Sequence, residues 1–155
     1  MTLDYNTIAK NLKFEGRAFI NGKYVDAIDG EKFENINPAT GEVLCAVSKC
    51  NHKDVDLAVK VSRKAFNSGV WSRTSPEFRK DILLKFAELL RQTGEENSVL
   101  ECVDTGKLIG DCINEVANDA PMHFQWYGEL IDKVFGKVGP TEPSLTSLIV
   151  KEPIG

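Results

Sequence analysis

The stretch that most restricts what this chain can fold into runs from Asn97 to Lys133, NSVLECVDTGKLIGDCINEVANDAPMHFQWYGELIDK. It reads as two helical segments joined at Asp104-Thr105-Gly106-Lys107. Val99, Leu100 and Val103 make an apolar stripe before the junction. Cys112, Ile113, Val116, Ala120, Phe124, Tyr127 and Ile131 continue one after it, at spacings of three or four that mark a buried helix face. Gly106 stands where a helix can end in a left-handed residue without a Cβ penalty. Pro121 has no N–H for the Ala117 carbonyl, so a kink or a fresh start is expected near Asn118–Ala120.

Two more helices precede this stretch. Asn51 to Phe66 has Asn51 as its cap, Asp54 and Asp56 near its positive end, and Gly69 as its stop. Val55, Ala58, Val59, Ser62, Ala65 and Phe66 form its apolar face. The next begins at Ser75-Pro76, with serine as cap and proline at the first helical position. Phe78, Ile82, Leu83, Phe86, Leu89 and Leu90 are expected on its buried side, and Arg79, Lys80, Lys85, Glu88 and Arg91 in water. Thr93-Gly94-Glu95-Glu96 fits a capping box that restarts the helix.

The N-terminal part is organised by turns. Residues 1–15 lack a clear period apart from a short helix at Tyr5–Leu12, and read as a docking arm. Arg17 to Asp26 gives two short strands about Asn21-Gly22, a pair suited to the positive φ angles of a type I′ hairpin. Lys32–Ile36 and Glu42–Val47 pair about Asn37-Pro38-Ala39-Thr40-Gly41. After Gly136 the chain turns extended, with a strand at Leu145–Val150. That apolar strand ends the chain unpartnered, which leaves an edge that needs pairing. The chain looks cut off.

Composition removes several function classes. With a net charge of −4 and both signs interspersed, nothing draws the chain to nucleic acid or an anionic membrane. No run is long enough to span a bilayer. The opening MTLDYNTIAKNLKFEG has no apolar h-region and carries acids, so a cytoplasmic location is expected. Cys45, Cys50, Cys102 and Cys112 match neither a paired metal site nor a disulfide frame, and His52 and His123 add no usable ligand spacing. Cys102 and Cys112 read as small core residues, and Cys45 alternates with Val43 and Val47 on a strand face. There is no G-x-G-x-x-G after a strand and no G-x-x-x-x-G-K-[ST], so no complete nucleotide site is encoded. No nucleophile stands beside a base in sequence, and His123, between Met122 and Phe124, reads as packing or a surface tip.

Two acidic features remain. Asp104, at the end of an apolar helix, reads most simply as a solvated or N–H-capping carboxylate. Glu115 and Asp119 lie four apart, on one face if a helix runs through them, and read most simply as a wet acidic face.

Read together and in order, FINGKYVDA, NINPATGEV, DVDLAVKVSRKAFNSGVWS, LECVDTGK, WYGELIDKVFGKV and EPIG resemble the N-terminal part of the NAD(P)-dependent aldehyde dehydrogenase superfamily. The likeness begins at about Gly16 and is greatest to the branch with betaine-aldehyde and γ-glutamyl-aminobutyraldehyde dehydrogenases. Leu108 departs from it, since members often have Pro after D-T-G-K. The resemblance implies an α+β fragment of the α/β aldehyde dehydrogenase fold: β-hairpins, then long helices and a terminal strand. Residues 1–136 would be the helical and hairpin layer on the cofactor-binding domain. Residues 137–155 would start the oligomerisation arm, ending before the Rossmann strands.

It further implies a complete enzyme that oxidises an aldehyde with NAD or NADP through a catalytic Cys, a Glu general base and an oxyanion-hole Asn. None of these lies in this chain, so neither activity nor cofactor binding is expected of it alone. By the same resemblance, Asp104 and the Ile36 carbonyl would help bind a monovalent cation, Na+ or K+. Glu115 and Asp119 would border the substrate tunnel; aminoaldehyde-oxidising members carry an acid matching Asp119, whereas Val116 departs from a second such position. Expected partners are aldehyde dehydrogenase subunits in a homo- or hetero-oligomer. The alternative is a non-catalytic interaction module that pairs with a full-length subunit through the edge at Leu145–Val150.

Overall fold

The structure is a computed structural model that describes residues 4–155. Helix α1 (Tyr5–Asn11) is capped by Asp4, whose carboxylate accepts the N–H groups of Asn6 and Thr7. It packs on α4 (Gly94–Thr105), as expected of a docking arm; the first three residues of that arm lie outside the described residues. Strands β1 (Ala18–Ile20) and β2 (Lys23–Val25) pair antiparallel. Asn21 (φ 56°) and Gly22 (φ 75°) both take the positive angles a two-residue hairpin requires. Strands β3 (Lys32–Ile36) and β4 (Val43–Ser48) form a second hairpin, with a register irregularity between Asn35 and Ile36.

An isolated two-stranded hairpin is marginal in water, so each needs something to lean on. The first leans on helix α2 (His52–Ser68) through Asp54, which is 3% exposed. One Asp54 oxygen accepts the Ile28 N–H and the other the Asn51 N–H, each at 2.9 Å. Asn51 and Asp54 thereby form a reciprocal capping box. Asn51 Nδ2 also donates to Asp29 at 2.7 Å. That contact and the Glu31 N–H, the larger effect, hold the Asp29 carboxyl below its usual range.

Helix α3 (Pro76–Gln92) starts as its sequence indicates, with Ser75 Oγ accepting the Phe78 N–H. The expected capping box at its far end does not form. Thr93 Oγ1 donates back to the Leu89 carbonyl at 3.0 Å and accepts from Asn97 Nδ2, so it closes α3 instead of capping α4. The assignment of faces on α3 is also corrected. Leu83, Leu84, Ala87 and Leu90 are covered, while Phe78, Ile82, Phe86 and Leu89 stay largely exposed and Arg79 and Lys80 are half-buried. Both sides of this helix are apolar, and periodicity cannot say which one meets α6 (Ala120–Leu130). The contact with α6 decides it: a Cβ on Gly128 would lie 3.1 Å from Leu83 Cβ.

After α4 ends at Gly106 (φ 75°), the chain re-enters a helix at α5 (Ile109–Cys112) and passes through a π-helix (Ile113–Asp119) into α6. The kink or fresh start expected near Asn118–Ala120 takes the form of a change of helix type, the π-helix ending at Asp119 and α6 beginning at Ala120. The Ala120 N–H reaches five residues back to the Glu115 carbonyl, and the wider turns accommodate a proline that cannot donate. They also shift the buried stripe. Cys112 is fully buried and Val116 partly covered, but beyond them Ala117, Pro121 and Gly128 carry the contact, whereas Tyr127 is exposed. The core is built of small groups: Gly94, Ser98, Val99, Ala87, Cys112 and Pro121. Burial also raises the Cys112 thiol above its ordinary pKa.

Two further expectations, one about the C-terminal strand and one about α2, are settled differently. Strand β6 is short (Ser147–Ile149), and it pairs antiparallel with β5 (Lys137–Gly139), a strand the sequence did not suggest. One edge of β6 is therefore covered. On α2, Val55 and Val59 remain exposed along the expected apolar face.

Candidate functional site

The acids singled out from sequence fall at two places around the α4–α5 corner. Asp104 lies in the last turn of α4, beside the Asn37–Gly41 turn of the second hairpin. Asn35 Nδ2 donates to Asp104 Oδ1 at 2.5 Å. A Cβ on Gly106 would lie 2.9 Å from Pro38 Cγ, so the left-handed glycine also permits this close approach. Among the described residues Asp104 thus caps no N–H; it clasps the hairpin. Ile36, whose carbonyl is the second expected cation ligand, adjoins Asn35 in β3 and is half-exposed. Among the described residues no group of three His, Cys, Asp or Glu side chains converges in a way suited to a metal ion. Any cation here would depend on the second Asp104 oxygen and on backbone carbonyls, the donor set of a hard ion.

Glu115 and Asp119 both lie on the π-helix and both are exposed. They differ in their partners. Glu115 Oε2 pairs with Lys107 Nζ at 2.7 Å, and the same ammonium pairs with Glu101 Oε1 at 3.1 Å. These contacts, Glu115 first and Glu101 second, raise the Lys107 pKa above the ordinary lysine range. The stabilisation they give is fully present below the unfolded value of 10.5 and is lost as the pH rises through the folded one. The Lys107 carbonyl is held from the other side by Cys102 Sγ at 3.1 Å. The Asp119 side chain has no hydrogen-bond or ion-pair partner among the described residues; its carbonyl lies 2.7 Å from His123 Nδ1. His123 is thereby tied to its own helix, which fits the reading of a surface side chain rather than a base. Sequence spacing pointed to Glu115 and Asp119 but not to Lys107, because nothing in the order of residues says across which gap a lysine will reach.

Open grooves of about 480 and 520 Å³ run between the end of α2 and residues 152–155, lined by Phe66, Val70, Trp71, Ser72 and Pro153 among others. Arg63 Nη1 donates to the Ile154 carbonyl alongside them. Neither groove includes Glu115, Asp119, Ile36 or Asp104. The described residues also do not fit a dinucleotide: no strand runs through a glycine-rich turn into a helix that could cradle a pyrophosphate. No described helix is long and apolar enough to cross a membrane.

This succession of hairpins, capped helices and a clasped turn matches a known class. The aldehyde dehydrogenase family model matches residues 24–155, and the chain belongs to that family. Among its relatives is aminoacetaldehyde dehydrogenase of Pseudomonas aeruginosa, 40% identical over 152 residues, covering 98% of this chain and 31% of that protein. The crystal structure of γ-glutamyl-γ-aminobutyraldehyde dehydrogenase from Burkholderia cenocepacia superimposes with a TM-score of 0.89 at 41% identity, over 93% of this chain and 29% of that one. The AldA indole-3-acetaldehyde dehydrogenase of P. syringae, solved with NAD+ and IAA, gives a TM-score of 0.94 at 41% identity, over 98% of this chain and 31% of that one. The chain therefore spans about a third of the length of its relatives.

Proposed function

We propose that this chain is the N-terminal segment of an enzyme that oxidises an aldehyde to a carboxylate with NAD or NADP, and that it is inactive on its own. In this reading residues 1–136 are the helical and hairpin layer on a cofactor-binding domain, and residues 137–155 begin an oligomerisation arm. The complete protein would be a cytoplasmic oligomer of like or related subunits. The observation that carries the reading is the match over 98% of this chain and about 31% of a relative, together with the lack of a dinucleotide cradle among the described residues. The purified chain, given NAD or NADP and betaine aldehyde or an aminoaldehyde, is expected to form no reduced cofactor above a heat-killed control. Turnover above that control would refute inactivity.

For substrate, the proposal is an aminoaldehyde. Relatives of about equal identity are named for aminoacetaldehyde, an amine, and for indole-3-acetaldehyde, which carries none, so overall likeness does not choose between them. Asp119 supports the choice, as an exposed carboxylate with no side-chain partner among the described residues. Attraction between unit charges 4 Å apart is about 1 kcal/mol in water and about 4 kcal/mol at an effective dielectric of 20. After desolvation a net of roughly 1–2 kcal/mol remains, about tenfold in affinity. In an active aminoaldehyde dehydrogenase whose N-terminal segment is replaced by these 155 residues, Asp119→Asn should raise KM for an aminoaldehyde about tenfold and leave a neutral aldehyde of like length unchanged. Equal effects on both substrates would remove the preference but not the family.

Asp104 and the Ile36 carbonyl are proposed to hold Na+ or K+, supported by their common place at the clasped turn. The thermal midpoint of that completed enzyme should then be higher in sodium or potassium chloride than in tetramethylammonium chloride at equal ionic strength. Identical midpoints would dispose of the cation. A second reading, a non-catalytic module that pairs with a full-length subunit, is favoured by the exposed Leu145, Leu148 and Val150 around β6. Co-purification with an intact subunit but no activity in any completed form would support it.

A further inference from the structure

We propose that Lys107 is a positioning residue that sets how much negative charge the π-helix presents: it holds Glu115 back against itself and Glu101, leaving Asp119 as the carboxylate that meets a cationic substrate. The proposal rests on the aminoaldehyde reading above and adds the control of its charge. Lys107 sits in the three-residue link between α4 and α5, after the left-handed Gly106 and before Leu108. Its ammonium bridges two acids from different helices, Glu101 on α4 at 3.1 Å and Glu115 on the π-helix at 2.7 Å. Its backbone is held as well, since Cys102 Sγ donates to its carbonyl and its own N–H donates to Thr105 Oγ1 at 3.4 Å. A lysine fixed at both ends in this way is a strut, and Glu115 is the group it draws in.

The carboxylates at this corner are Glu101, Glu115 and, four residues to either side of Glu115, Asp111 and Asp119, against Lys107. Without the ammonium, the Glu115 carboxylate is no longer offset by its partner, and its charge adds to that of Asp119, four residues on. The face would then offer a cation two carboxylates rather than one. Removing a positive residue is thus expected to strengthen the response to cations, and to do so through Glu115.

The experiment uses the 155-residue chain and a pair of nitroxides of equal size, one cationic and one neutral. Their relaxation effects on the backbone amides of residues 113–123 report the local potential at low ionic strength. Lys107→Met should raise the cationic-to-neutral ratio about twofold. Glu115→Gln should reverse that rise in the Lys107→Met background and return the ratio to about its wild-type value. Lys107→Arg should keep the wild-type ratio. In the completed enzyme Lys107→Met should lower KM for an aminoaldehyde about threefold without altering that for a neutral aldehyde, a split that loss of packing alone does not produce. If Lys107→Met does not fold, Lys107→Gln, uncharged and still able to hydrogen-bond across the link, takes its place. No rise in the ratio, or a rise that Glu115→Gln leaves in place, overturns the role of Lys107. Failure of the aminoaldehyde reading shows elsewhere, as an Asp119→Asn enzyme unchanged toward both substrates while the probe ratios still respond.

Discussion

Asp54→Ala is expected to destabilise the chain by about 3 kcal/mol, which lowers the thermal midpoint by on the order of 6–12 °C for a chain of this size. Asp54 is 3% exposed, and its carboxylate accepts two backbone N–H groups, each at 2.9 Å. A hydrogen bond to a charged group contributes about 1.5–3 kcal/mol, and a donor left unsatisfied in a buried place costs about 1–3 kcal/mol. Loss of a helix cap costs roughly 1 kcal/mol. These contributions overlap, so they do not sum. The position matters more than the count, because one bond caps α2 and the other anchors Ile28, just beyond the first hairpin. Asp54→Asn keeps one acceptor oxygen and should lose about half as much. A shift in the urea midpoint at unchanged slope would measure both variants. An Asp54→Ala chain within about 0.5 kcal/mol of wild type, the usual range of a surface change, would mean that the hairpin is held by something else.

Gly94→Val is the second large effect, at roughly 2–3 kcal/mol. Gly94 is buried at the start of α4, where that helix meets the π-helix. A Cβ there would lie 2.9 Å from Ala117 Cβ and 3.1 Å from Ala117 Cα. Neither atom belongs to a flexible side chain, so the two helices must part by several tenths of an ångström even for alanine. Overpacking of this kind costs typically 1–3 kcal/mol. Against it stands the gain of about 0.5–1 kcal/mol from replacing glycine within a helix. Gly94→Ala should therefore come out mildly destabilising and Gly94→Val clearly so. Gly110, on α5, is the control: a Cβ added there meets nothing within 4 Å. Gly110→Ala should be neutral or stabilising by up to about 1 kcal/mol. If both alanine variants gave the same stability, the close crossing of α4 and the π-helix would be wrong.

Much of the local structure was legible before any coordinates. Asn21-Gly22 demanded a two-residue hairpin because few other residue pairs accept positive φ twice in succession. Asn51 and Ser75-Pro76 marked where two helices begin, and Gly69 and Gly106 where two end. Each of these is a short-range matter, settled by which backbone angles and which orphan N–H groups a residue can serve. The order of weak motifs from Gly16 to Gly155 also carried the family. Thr93 shows the limit even at short range, for its hydroxyl had two helices to choose between and closed the one behind it.

What the tertiary structure decided were the questions of partner. The sequence makes both sides of α3 apolar, and only the approach of Gly128 assigns Leu83, Leu84 and Ala87 to the interior. The stripe from Cys112 to Ile131 assumed one helical period, but the π-helix, in place just before Pro121, moved the later contacts to Ala117, Pro121 and Gly128. Strand β6 found β5 across a turn that no residue pattern announced. Asp104 was a carboxylate without an assignment until Asn35, 69 positions earlier, reached it. Glu115 and Asp119 were equivalent by spacing and became unlike when Lys107 bridged the corner to one of them. A sequence states what each residue can do for its neighbours along the chain; which distant group it meets depends on how whole helices come to rest against one another.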